Sequence, residues 1–80
     1  MINLGIYKHY KGDEYEVVGL AHHTETKTPL VLYKPLYSIP DLEEQYNGDI
    51  VFARPIEMFT ETVEINGKDI PRFEFKTDQP

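Results

Sequence analysis

Alternation of apolar and polar residues, the mark of strands half-covered by a core, runs through most of this chain. Ile6-Tyr7-Lys8-His9-Tyr10 reads as a short strand. It is stopped by Lys11-Gly12-Asp13, where glycine frees the turn and aspartate can bond its own backbone. Residues 14–23, EYEVVGLAHH, read as the next strand. Tyr15, Val17, Gly19 and Ala21 would share one face and Glu16, Val18, Leu20 and His22 the other, which suits partial cover on both sides. Gly19 in mid-strand predicts a bulge or a close backbone approach. Thr24 to Pro29 is polar and turn-like, and Leu30-Val31-Leu32-Tyr33-Lys34 after it is β-branched and aromatic, so the two strands form a hairpin.

The second half repeats the pattern with interruptions. Residues 38–49, SIPDLEEQYNGD, hold four acids and no base and are predicted to be a surface excursion. Ile39-Pro40-Asp41 there suits the first turn of a helix. Ile50 to Arg54 returns to strand, and Pro55 to Phe59 predicts a single helical turn that packs Ile56 and Phe59 inward. Asn66-Gly67 between Thr62-Val63-Glu64-Ile65 and Lys68-Asp69-Ile70 is the strongest hairpin signal in the chain, because a type I′ turn needs two positive φ angles. Phe73 and Phe75 alternate with Arg72, Glu74 and Lys76 and close the sheet, and residues 77–80 form a loose tail. Five or six short antiparallel strands with one short helical turn predict a mainly all-β fold. A small SH3-like barrel is the first expectation, since closure removes exposed edges. An open antiparallel sheet with one short helix is the alternative.

At 80 residues the chain fits one domain, with its core over about residues 4–76, and buries only about 60% of its unfolded surface. With no cysteine, neither a disulfide nor a thiolate–metal site supplements that core, and the cytoplasm is the simplest compartment. No apolar run approaches the roughly 20 residues that cross a bilayer. The net charge of −6 is unevenly placed. Lys8, Lys11, Lys27 and Lys34 balance Asp13, Glu14, Glu16 and Glu25 in the first half, so the second half carries the whole excess. That balance works against nucleic acid, whose phosphates are held by lysine and arginine.

Catalytic and metal signatures are sparse. His9, His22 and His23 invite a metal, but adjacent histidines on a strand point to opposite faces, and no HxH or HExxH spacing occurs, so no metal site is assigned. Ser38 is the sole serine, no glycine-rich phosphate loop is present, and no cofactor is implied. A His9 and Glu25 acid–base pair would need both groups within reach of one substrate atom. The candidate ligand-binding set is His9, Lys11, Glu25, Tyr33, Arg54 and Arg72, each at or beside a predicted strand end, where loops from several strands meet. The two guanidinium forks suit a carboxylate or phosphate on a ligand, and the plainer reading pairs both with local acids such as Glu25, Glu57 or Glu61. Of the large aromatics, Tyr15, Phe52, Phe59, Phe73 and Phe75 are assigned to the core first. Tyr7, Tyr10, Tyr33 and Tyr37 are left as candidates for an exposed groove.

Gly5-Ile6-Tyr7-Lys8-His9-Tyr10-Lys11-Gly12, Tyr15, His23-Thr24-Glu25-Thr26, Val31-Leu32-Tyr33 with Leu36-Tyr37, Arg54-Pro55-Ile56-Glu57-Met58-Phe59 and Pro71-Arg72-Phe73 follow one another in an order and spacing that resembles the bacterial family catalogued as domain of unknown function 1653. The resemblance spans about residues 4–75 and implies a short SH3-like β domain. It implies no reaction and no catalytic residue. Together these readings favour a noncatalytic binding module for a small molecule, peptide or protein partner. The alternative is a small enzyme or accessory domain acting on an anionic metabolite, with His9 as acid or base and Arg54 and Arg72 holding the anion. Strand edges and tyrosines also allow a homodimer.

Overall fold

A computed structural model describes residues 2–79. Seven strands and two helices follow in the order β1 (Gly5–His9), β2 (Glu14–His22), β3 (Pro29–Pro35), α1 (Pro40–Tyr46), β4 (Phe52–Pro55), α2 (Ile56–Phe59), β5 (Thr62–Ile65), β6 (Lys68–Pro71) and β7 (Phe73–Thr77). All strand pairings are antiparallel. Five strands form one sheet in the order β4-β3-β2-β1-β7, and β5 and β6 form a separate hairpin. The fold is therefore mainly β, and the expected closed barrel is not formed, since β4 and β7 are free edges of an open sheet. The expectation of five or six strands is corrected to seven, the alternative of an open sheet lies nearer the mark, and there are two helices where one short turn was expected.

Curvature comes from two irregularities. The β2–β3 register slips between Val17 and Gly19, where the bulge was expected, and the β1–β7 register slips between Ile6 and Tyr7. Each bulge adds local twist, and the sheet curls around its aromatic face. Side chains on that concave face come from alternate positions. Tyr7 stands opposite Tyr15, His9 opposite Phe73, Val17 opposite Tyr33, Tyr33 opposite Phe52 and Val31 opposite Arg54. Tyr7, Val17, Val31, Tyr33, Phe59 and Phe73 make the buried cluster, with Ile2, Tyr15, Phe52 and Ile56 packed against it. Full burial of side chains such as Val17, Val31 and Phe59 contributes about 1.5–3 kcal/mol each.

Pro55 ends β4, and α2 turns back over the concave face as expected, so that Phe59 is buried and Ile56 half-buried. Phe59 stacks on Phe73 and meets Tyr7 and Tyr33 edge to face. The Asn66-Gly67 turn has φ values of 52° and 79°, as a type I′ turn requires.

The helix start expected at Ile39-Pro40-Asp41 is present, and two further expectations are corrected. The 38–49 excursion contains α1, whose first turn is held by Glu43, its carboxylate accepting from the Ile39 amide at 2.8 Å and the Ser38 hydroxyl at 3.1 Å. Asn47 ends α1 in the left-handed conformation. Thr77 belongs to β7 and pairs with Ile6, so the tail begins later than expected, and Pro80 lies outside the described residues. Phe75, assigned to the core, is 40% exposed, whereas Tyr7 and Tyr33, left as groove candidates, are buried. No helix among the described residues is long and apolar enough to cross a membrane.

Candidate functional site

Phe73 is where the two free edges of the sheet come together. Its ring stacks on Phe59 with centroids 4.1 Å apart, meets His9 at 4.9 Å, Tyr33 at 5.6 Å and Tyr15 at 5.7 Å edge to face, and carries the Arg54 guanidinium 5.5 Å from its centroid. Arg54 comes from β4 and Phe73 from β7, so this contact spans the seam at which a barrel would have closed. Arg54 is fixed a second time, because its Nε donates to the Tyr33 hydroxyl at 3.2 Å. Its terminal nitrogens form no salt bridge with any described residue. The planar fork is thus held by a phenol and an aromatic ring while its end-on face stays uncommitted.

Arg72 stands on the link between β6 and β7, beside the end of β1, where its carbonyl accepts from the Tyr10 amide at 3.0 Å. Its side chain pairs with Glu61 at 2.8 Å, and its backbone N–H donates to the Glu61 carbonyl at 3.1 Å. Pairing with a local acid therefore holds for Arg72 and fails for Arg54. Arg72 Nε is buried without a hydrogen-bond partner among the described residues. An orphaned donor of that kind costs about 1–3 kcal/mol.

His9, half-buried at the end of β1, packs against Phe73 and Tyr10. Its Nδ1 accepts from the Lys11 backbone N–H at 3.1 Å. An accepting Nδ1 carries no hydrogen, so the neutral ring holds its proton on Nε2. Burial, then the charges of Arg72, Arg54 and Lys11, lower the His9 pKa from 6.5, with Asp13 opposing them. Burial of the ring against Phe73 is the larger cause, and the curl of the sheet adds three cations around it. His9 also lines a surface groove of about 360 Å³ between β1–β7 and the β5–β6 hairpin, with Tyr10, Ile70 and Pro71 as its apolar members.

Of the six candidate residues, the structure brings His9, Lys11, Tyr33, Arg54 and Arg72 around one end of the concave face. Glu25 is not among them. It lies in the β2–β3 turn, at the other end of β2 from His9, where its backbone N–H donates to His23 Nδ1 at 3.1 Å, so the pairing of His9 with Glu25 is not formed. His22 is exposed on β2, and among the described residues no three His, Asp or Glu side chains gather closely enough to hold a metal ion. Phe73 itself was read only as core, although its place immediately after Arg72 was the available signal. A second polar pair, Tyr15 and Tyr37, share a hydroxyl–hydroxyl hydrogen bond of 2.6 Å. Burial and then that bond raise the Tyr15 pKa well above 10.0.

A groove of about 440 Å³ between β3 and α1, lined by Lys34, Tyr37, Ser38 and Glu43 among others, lies apart from this cluster and holds no comparable set of fixed cations. The fold defines a class: small, mainly antiparallel β proteins built on an open, curled sheet. Within it, the chain belongs to the family described as protein of unknown function DUF1653, whose pattern matches residues 5–75. It is similar to the crystal structure of a protein belonging to DUF1653 from Bordetella bronchiseptica, at 33% identity and a TM-score of 0.78, over 94% of this chain and 87% of that one. No curated protein matches the chain. The family description carries no activity, so the chemistry of the site rests on its residues.

Proposed function

We propose that this protein is a noncatalytic binding module that takes an anionic group of its ligand at the Phe73 mouth, with Arg54 as the principal contact. The observation that carries the reading is the Arg54 guanidinium, anchored by Tyr33 and Phe73 and without a carboxylate partner among the described residues, in a chain of net charge −6. Holding an arginine rigid costs side-chain entropy, and a fork left free in a chain so rich in acids suits an external anion. We read the fold as an SH3-like barrel left open between β4 and β7, a class that presents aromatic faces to ligands.

The alternative enzyme used His9 as a base. Binding is preferred because the Nδ1 lone pair is taken by the Lys11 amide and Nε2 bears the hydrogen, so the neutral ring presents a donor rather than a base.

The test is a two-dimensional ¹H–¹⁵N NMR titration of the protein with benzoate and with sulfate. Saturable shifts centred on His9, Arg54 and Phe73, abolished by Arg54→Ala in a protein whose remaining spectrum is unchanged, are the expected result. Shifts centred elsewhere, or undiminished in Arg54→Ala, would sink the reading.

A further inference from the structure

We infer that Asn66 is a site of spontaneous covalent modification, in which water replaces its side-chain amide by way of a cyclic imide, and that the fold shields the same dipeptide at Asn47-Gly48 from this reaction. The site lies at the tip of the β5–β6 hairpin and stands independently of the anion-binding reading.

The chain holds two Asn-Gly pairs, at 47–48 and 66–67. Glycine after asparagine leaves its backbone nitrogen open to approach, since it carries no side chain. That nitrogen, deprotonated by hydroxide, attacks the asparagine Cγ. A new N–Cγ bond closes a five-membered imide, and ammonia leaves from Cγ. Water then opens the ring at one of two carbonyls. Opening at Cγ restores the ordinary backbone with an aspartate side chain, and opening at the main-chain carbonyl routes the backbone through Cβ and Cγ as isoaspartate. In sum, one water is consumed and one ammonia released, with no oxidant or reductant.

The two pairs are alike in sequence, exposed, and alike in backbone, with φ of 59° at Asn47 and 52° at Asn66. Their hydrogen bonds differ. Asn47-Gly48 caps α1, where the Gly48 N–H donates to the Glu43 carbonyl at 2.8 Å and the Asn47 N–H to the Glu44 carbonyl at 3.4 Å. The Gly67 N–H has no backbone acceptor among the described residues, because the ladder is carried by Ile65 and Lys68 on either side of the turn.

That difference controls the reactive conformation. Turning over the central peptide of a type I′ turn gives type II′, which carries ψ of the first central residue from about +30° to about −120° and sets the following nitrogen against Cγ. At the hairpin tip Ile65 and Lys68 stay paired through the flip, and Gly67 accepts either sign of φ. At Asn47 the same flip withdraws the Gly48 N–H from Glu43 and uncaps α1. Loss of that hydrogen bond should slow the reaction about threefold to tenfold. Each event at Asn66 adds a negative charge to a chain of net charge −6, and isoaspartate adds a main-chain carbon to a hairpin that pairs with no other strand.

The experiment incubates the whole protein at mildly alkaline pH, folded in buffer and unfolded in urea, with digestion at intervals. Mass spectrometry reads the gain of one mass unit at each Asn-Gly, and an isoaspartyl carboxyl methyltransferase with labelled S-adenosylmethionine marks isoaspartate. In the folded protein Asn66 should be modified about threefold to tenfold faster than Asn47, and in urea the two rates should draw level. Both sites are compared within one molecule, so no variant has to fold. Equal rates in the folded protein, a faster Asn47, or a preference for Asn66 that persists in urea would overturn the inference. So would a folded Asn66 that stays unmodified while the urea-unfolded chain reacts.

Discussion

Phe59 of α2 and Phe73 of β7 lie ring on ring, with centroids 4.1 Å apart and planes 5° from parallel. Phe59 follows directly on the β4 edge and Phe73 lies on the β7 edge, so this stack joins two edges that no strand ladder connects. Closure by side chains replaces closure by a ladder. The seam stays open enough for Arg54 to sit over the same ring.

Removing half of that stack should therefore unfold the protein. Phe59→Ala is expected to cost about 3–5 kcal/mol, comparable with the whole stability of a domain near the lower end of about 5 kcal/mol. Phe59→Leu keeps most of the volume, loses the stack, and should cost about 1–2 kcal/mol. Urea denaturation followed by circular dichroism measures both, and a fully folded, barely weakened Phe59→Ala would mean that the edges are held by something else.

Two glycines with positive φ should respond differently to alanine. Gly5, at φ 128°, sits against β7, where an added Cβ would run into the Thr77 carbonyl and come within 2.8 Å of the Asp78 Cα. Gly67, at φ 79°, has nothing within 4 Å of the same position. Gly67→Ala should cost about 1 kcal/mol, the backbone penalty alone. Gly5→Ala should cost clearly more and loosen the β1–β7 ladder, read as faster amide exchange at Tyr7 and Phe75.

The alkaline limb of stability should follow Tyr15. Burial, then its hydrogen bond with Tyr37, raise its pKa in the folded state above the ordinary 10.0. Stability from a raised group is complete below the unfolded value and is lost as pH rises through the folded one. In a spectrophotometric titration Tyr15 should therefore ionise late, close to the point of alkaline unfolding. Tyr37→Phe should bring that ionisation down only in part, since burial is the larger cause.

The acid limb carries the opposite sign. His9 is lowered from 6.5 by burial and then by Arg72, Arg54 and Lys11, so the unfolded chain binds a proton that the folded chain resists. Its contribution is complete above pH 6.5 and declines as pH falls through the folded value. Melting temperatures measured from about pH 7 to about pH 5 should fall less steeply in His9→Gln than in the native protein. Equal slopes would mean that the folded chain does not resist protonation of His9 through either burial or the neighbouring cations.

Much of this molecule was written in local sequence. The Asn66-Gly67 turn, the bulge at Gly19 and the Pro55–Phe59 helical turn could all be read from residue type and spacing, because turns, alternation and prolines act over a few neighbours. Membership of DUF1653 was equally legible, as its short segments keep their order along the chain. Tertiary structure alone decided that the sheet stays open, that Tyr7 and Tyr33 fill the core while Phe75 is partly exposed, that Arg72 finds Glu61 while Arg54 finds no acid among the described residues, and that Glu25 stands apart. Those outcomes depend on how far two bulges curl one sheet and on which distant side chains then meet. Such contacts between residues far apart in the chain leave no periodic trace in the sequence.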